Sequence, residues 1–144
     1  MKIVLQRVSS ASVKVDNEIV GSIDHGMLLL IGFSSSDAEE SILPTLEKIV
    51  KLRIFSDEEG KMNKSVLDVN GSALLVSQFT LYADTKKGNR PSFIEAARPE
   101  QAIPLYEFFI AEMKKRISKV ETGIFGADMK VELVNHGPVT IVFD

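Results

Sequence analysis

The chain has 144 residues, 44 per cent of them hydrophobic and 26 per cent charged, enough for one domain with a real core. It contains no cysteine, which excludes disulfides, zinc–thiolate sites and a cysteine nucleophile together. A net charge of −3 argues mildly against affinity dominated by phosphate contacts, although local basic patches matter more than the total.

Strand signals come first. Ile3 to Val8 and Ala11 to Val15 are rich in β-branched residues, and Val13 and Val15 alternate with Ser12 and Lys14, the period of a half-buried strand. Asp16-Asn17 is a turn signal, and Ile19 to Ile23 follows as its hairpin partner. His25-Gly26 marks the next turn. The continuous apolar run Met27 to Phe33 predicts a central strand buried on both faces. It is the longest such run and far short of a membrane span. The opening residues also lack the apolar stretch and cleavage site of a signal peptide, so a soluble, cytoplasmic protein is expected.

A helix is predicted next, capped by Asp37, with Glu39 and Glu40 in its first turn and Ile42, Leu46, Ile49 and Val50 on one face. Pro44 calls for a start nearer Leu43 or a kink. Ser56 to Lys61 reads as a loop, Ala73 to Tyr82 as a strand, and Asp84 to Pro91 as an exposed loop. Arg98-Pro99 opens a second helix, whose core stripe is Leu105, Phe109, Met113 and Ile117, joined by Phe108. Strands from Met129 to Val134 and from Val139 to Phe143 close the chain around a turn at Asn135-His136-Gly137-Pro138. The whole is a single α+β domain, residues 1–144, without repeats or linkers.

The usual catalytic inventory is poor. There are two histidines: His25 is read as a turn residue, and the role of His136 stays open. No nucleophile elbow, zinc motif or phosphate-binding glycine loop is present. What stands out is Ser77-Gln78-Phe79-Thr80, polar residues in a segment that otherwise looks like core. Buried Gln and Thr require hydrogen-bond partners, whereas a polar strand end or an exposed sheet face needs no function. Gly137-Pro138 is equally open, because an ordinary turn explains it. Two basic patches, Lys86, Lys87, Arg90 with Arg98, and Lys114, Lys115, Arg116 with Lys119, fit either solvated faces or an RNA contact. Exposed aromatics, which a non-catalytic RNA-binding module would use, are not evident.

The chain closely resembles the D-aminoacyl-tRNA deacylase family over essentially its full length. The resemblance is carried by the opening LQRV, KLRIFSDEEGKMN, SQFTLYADTKKGNRPSF, FGADM and NHGPVT, with the two family signatures intact at Ser77–Thr80 and Asn135–Thr140. It implies a β-barrel-like body of two packed sheets with two main helices, a homodimer, and aminoacyl-tRNA as substrate; no cofactor is expected, and no metal, because the sequence holds no ligand cluster. It also implies that Gly137-Pro138 is cis and projects its carbonyls into the partner subunit's active site, beside Ser77, Gln78, Phe79 and Thr80. Arg7 then fixes that loop, Phe125 packs against the terminal adenosine, and Met129 lines the same pocket. The sequence departs from many relatives at His136, where they carry Asp, and in a less basic loop at Lys86–Arg90.

The scissile bond is an activated ester, so hydrolysis needs positioning, an oxyanion stabiliser and a nucleophile. Backbone N–H groups near Phe79 and Thr80 are expected to meet the oxyanion. Either Thr80 Oγ attacks, which needs a base absent nearby in sequence, or the protein positions a water assisted by the tRNA 2′-OH. The second is favoured. The Gly137-Pro138 carbonyls would bind the substrate ammonium and leave no room for an L side chain, with glycine escaping rejection. A small-molecule esterase is the remaining alternative, distinguished by whether hydrolysis requires the terminal adenosine.

Overall fold

The computed structural model describes residues 1–144. The chain runs β1 (Lys2–Val15), β2 (Glu18–Ile23), β3 (Gly26–Gly32), α1 (Glu39–Lys51), β4 (Phe55–Ser56), β5 (Met62–Lys64), β6 (Ser72–Ser77), a 3-10 turn (Phe79–Tyr82), α2 (Pro99–Lys114), β7 (Val120–Thr122) and β8 (Lys130–Phe143). The first two strand segments of the sequence reading are one strand, β1. Its first half pairs with β3 and its second half with β2, while β8 lies antiparallel along it. Asp16 and Asn17 both have positive φ, 50° and 63°, as a tight hairpin turn with right-handed strand twist demands.

Where two packed sheets were expected, one six-stranded sheet curls on itself, and β4 and β5 form a separate two-stranded ribbon. The order is β2-β1-β3-β6-β7, with β8 on β1; β3, β6 and β7 run parallel to one another. Gly21 of β2 brings the sheet nearly to closure. A Cβ placed there would lie 2.6 Å from the Thr122 carbonyl oxygen of β7, so only glycine allows that approach.

Both faces of β3 and β6 are covered, which is why their sequences are continuously apolar. Met27, Leu29, Ile31, Ala73 and Leu75 pack with the helices in a core of 22 residues. Leu28, Leu74 and Val76 join Val8, Ala11, Val13 and Ile23 in a second core of seven inside the curled sheet. The predicted helix faces bury as expected, Ile42, Leu46, Ile49 and Val50 on α1, and Leu105, Phe109 and Met113 on α2.

Asp37 does not cap α1. Its carboxylate accepts the N–H and hydroxyl of Ser34 at 2.7 and 2.9 Å and the Met1 amine at 2.7 Å, and Ala38 is the capping residue. Pro44 neither delays nor ends α1, which starts at Glu39 and continues through it. The missing donor leaves the Glu40 carbonyl without its helical partner, and both residues are exposed, so water can replace the bond. No helix is long and apolar enough to cross a membrane.

Candidate functional site

The segment carrying Ser77, Gln78, Phe79 and Thr80 is not a strand throughout, so the alternation of faces expected for it does not apply. Ser77 ends β6 opposite Ile31, and the Gln78 N–H reaches the Ile31 carbonyl at 2.7 Å. Gln78 then leaves the strand conformation (φ −145°, ψ 77°), and Phe79 to Tyr82 form the 3-10 turn. Gly32 permits this crossover, since a Cβ there would meet the Gln78 carbonyl oxygen at 2.7 Å. The first bond of the turn runs from the Leu81 N–H to the Gln78 carbonyl, 3.2 Å. The N–H groups of Phe79 and Thr80 therefore have no acceptor within the turn. Thr80 Oγ1 accepts a short hydrogen bond from Gln78 Nε2, and no histidine, lysine or carboxylate is bonded to it.

Across from this turn, Ile124 to Ala127 reverse the chain, closed by an Ala127 N–H to Ile124 carbonyl bond of 3.2 Å. Gly126 supplies the positive φ of 75° at the third position, and Phe125 and Met129 lie on either side of it. Between the two turns is a cavity of about 320 Å³, within the usual range for small-ligand sites. Ser77, Gln78 and Phe79 form one wall, Phe125 and Met129 another, and ten of the 14 lining residues are hydrophobic.

Sequence reasoning missed the floor of this cavity, made by Ile31, Phe33, Val76 and Ala97. It also missed Tyr106. The Tyr106 hydroxyl, 4 per cent exposed at the residue level, donates to the Leu75 carbonyl at 2.8 Å, and burial pushes its pKa up. Its ring lies 5.9 Å from that of Phe125, so it braces β6 and the Phe125 turn together. The only sequence signal was a phenol three residues before Phe109, beside the core stripe of α2. Replacing Tyr106 by Phe is expected to cost about 0.5–1.5 kcal/mol, because Leu75 O keeps the Gly123 N–H at 3.0 Å. Urea unfolding of the two proteins measures this directly.

Arg7, Gly137 and Pro138 are elsewhere, and Thr80 does not line the cavity. Arg7 pairs with Met27 at the start of β3, while Ile31, which lines the cavity, is about 13 Å further along at strand rise. The expected turn at Asn135–Pro138 is a bulge inside the single strand β8. Gln6 pairs with Thr140 and Val8 with Asn135, so four residues of β8, His136 to Val139, stand opposite Arg7 alone. Sequence cannot separate the two, because a Gly-Pro pair breaks the ladder either way. The Gly137–Pro138 bond is cis, and Gly137 has φ 129°.

Arg7 fills the bulge from behind. Its Nε donates to the His136 carbonyl at 2.8 Å and its Nη1 to the Ile54 carbonyl at 2.7 Å. The guanidinium is buried and makes no salt bridge. The His25 ring lies 6.2 Å from that of His136, and partial desolvation, then the charges of His136 and Arg7, push His25 below its ordinary value of 6.5.

The two basic patches differ in their pairing. Lys115 and Arg116 are taken up by Glu112 and Glu47, with contacts of 2.5 to 2.9 Å. Lys86, Lys87, Arg90 and Arg98 have no carboxylate partner. Exposed aromatics also exist after all, for Phe79 is 55 per cent exposed, with its ring 5.1 Å from that of Phe93 in an edge-to-face arrangement.

A family model described as D-Tyr-tRNA(Tyr) deacylase matches residues 4–144. A D-aminoacyl-tRNA deacylase of Cytophaga hutchinsonii is 58 per cent identical over 142 residues, covering 98 per cent of this chain and 95 per cent of the relative. A solved structure titled c-Myc DNA Unwinding Element Binding Protein is 42 per cent identical with a TM-score of 0.94, covering 100 and 98 per cent of the two chains. Another, of a probable eukaryotic D-amino acid tRNA deacylase, shares the fold with a TM-score of 0.84 at 18 per cent identity, over 99 and 97 per cent.

Proposed function

Because the chain belongs to the D-Tyr-tRNA(Tyr) deacylase family, hydrolases acting on aminoacyl-tRNA, we propose that its cavity receives the terminal adenosine of a D-aminoacyl-tRNA and holds the ester at the Ser77–Thr80 turn. The observation that carries this reading is the cavity itself. An apolar slot of about 320 Å³ has an aromatic residue, Phe125, on one wall and Phe79 on another, where the turn begins whose Phe79 and Thr80 N–H groups have no acceptor within it.

Water adds to the ester carbonyl carbon, and the negative charge on the carbonyl oxygen is met by those two N–H groups. The bond to the ribose oxygen then breaks, a proton passes to that oxygen, and free tRNA and the D-amino acid leave. The tRNA 2′-OH assists the proton transfer. Thr80 Oγ is a poor candidate for the nucleophile, since its bonded neighbour is an amide donor and not a base.

The Gly137 and Pro138 carbonyls act in the partner subunit's cavity, where they accept the substrate ammonium and occupy the space an L side chain would need. Two features support this. Neither residue lines the cavity of its own chain. And β8 is a 14-residue edge strand with no buried residue, on which Val134 and Val142 are 57 and 66 per cent exposed, a template for pairing with a second copy. Glycyl-tRNA, having no side chain to exclude, is also cleaved, and the enzyme acts in the cytoplasm, where charged tRNA is used.

Incubating D-tyrosyl-tRNA and L-tyrosyl-tRNA side by side with the purified protein tests the proposal. Rapid loss of the D ester with the L ester intact is expected. Cleavage of both at similar rates removes the account of chirality, and cleavage of neither removes the assignment of the cavity.

A further inference from the structure

The rim of the cavity carries a surface that holding the adenosine and its ester does not use. Ile94 is 85 per cent exposed, the most exposed of the large hydrophobic residues, and Phe79 is 55 per cent exposed. Phe93, next to Ile94, holds Phe79 edge-to-face at 5.1 Å. Phe79 also lines the cavity, so this apolar lip is continuous with it. Beside the lip, Asp84 and Ser92 exchange backbone bonds of 2.8 and 2.9 Å, which close the exposed loop between them at the base of Phe93. That loop presents Lys86, Lys87 and Arg90, and Arg98 follows at the start of α2, all exposed and none ion-paired. Within the segment only Asp84 and Glu95 oppose them, and one Asp84 carboxylate oxygen already accepts the Lys86 N–H at 2.9 Å.

Exposed apolar and aromatic surface next to uncompensated cations is the composition that binds single-stranded nucleic acid, with bases stacked on the rings and phosphates met by Lys and Arg. We propose that the Phe79–Phe93–Ile94 lip, with Lys86, Lys87, Arg90 and Arg98, binds the unpaired nucleotides that precede the terminal adenosine of the aminoacyl-tRNA. This rests on the reading of the cavity as the adenosine's site. It also explains why a chain of net charge −3 can use an RNA substrate. The charge that matters is gathered beside the cavity rim, while in the other basic cluster Lys115 and Arg116 are paired with Glu112 and Glu47.

Two measurements test it. The first is fluorescence anisotropy with a labelled single-stranded RNA ending in CCA, on wild type, Ile94→Ser and the pair Lys86→Glu with Lys87→Glu. Ile94→Ser is expected to weaken binding about tenfold, and the charge pair to flatten the salt dependence. The second is the ratio of kcat/KM on D-tyrosyl-tRNA to that on D-tyrosyl-adenosine, which lacks the preceding nucleotides. In Ile94→Ser that ratio is expected to fall about tenfold through KM. Equal losses on both substrates, or none on either, overturn the proposal, as does unchanged RNA affinity with a shifted sedimentation coefficient, which would assign the lip to a subunit contact. If wild type hydrolyses D-tyrosyl-adenosine yet does not bind the RNA, the inference fails and the deacylase site stands. If the RNA binds through Ile94 but neither ester is cleaved, the lip stands and the site assignment fails.

Discussion

Replacing Arg7 by methionine is expected to lower stability by about 2–3 kcal/mol and to cut deacylation of D-tyrosyl-tRNA at least about tenfold. The guanidinium joins three distant segments: β1, the chain after α1 at Ile54, and the β8 bulge at His136. Methionine fills similar space without a donor, so both carbonyls lose their partner. The Ile54 bond is buried and its acceptor has no access to water, which costs about 1–3 kcal/mol; the His136 carbonyl is partly exposed and costs less. One term opposes these. Arg7 is a buried charge without a carboxylate, and removing it relieves a desolvation penalty. The carbonyl terms dominate, because a charge–dipole bond already offsets most of that penalty in the native protein.

Lysine should do little better than methionine at this position. Its ammonium is a point donor on a flexible stem, whereas Nε and Nη1 of arginine reach two carbonyls on different segments from one rigid plane. Urea unfolding gives the stability change, and steady-state deacylation gives the activity change. If Arg7→Met unfolds at the wild-type midpoint with full activity, the bulge does not depend on Arg7, and the link from β1 to Gly137-Pro138 is wrong.

The parts of the fold that follow from periodicity were legible. The apolar run at Met27–Phe33 is the buried central strand, and the stripe on α2 packs as its spacing requires. The failures share a cause. Val76 to Leu81 has strand-forming residues at both ends, but β6 runs parallel to β3, and the chain must leave the sheet where β3 stops at Gly32. That limit comes from a neighbour 46 residues back (Ile31 opposite Ser77), and no local propensity encodes it. The bulge at Asn135–Thr140 failed likewise, since its register is set by Arg7 on the facing strand. Of the residues named by resemblance, Ser77, Gln78, Phe79, Phe125 and Met129 line the cavity. The exposure of Phe79 and Ile94 could not, because both are residues that a pattern assigns to a core.

Gly137→Ala is expected to lower deacylation at least about a hundredfold, since displacing an oriented group by about 1 Å costs that much. The backbone at Gly137 has φ 129°, outside the range that L side chains adopt, and holding alanine there costs about 1–3 kcal/mol. Space is the second problem. A Cβ would lie 2.9 Å from Arg7 Nη2, 3.0 Å from Val139 Cγ2 and 3.1 Å from the Val139 nitrogen. The arginine tip could move away in isolation, but its neighbours Nε and Nη1 are tied to two carbonyls, so the loop must shift instead. Because one contact belongs to both sites, the two substitutions should not add. In the double variant Arg7→Met with Gly137→Ala, the Nη2 clash is gone and the carbonyl bonds are lost only once. The combined stability loss should therefore fall short of the sum by about 1 kcal/mol. Additive losses would mean that the strain at Gly137 is purely backbone, and that Arg7 supports the bulge without fixing the position of its carbonyls.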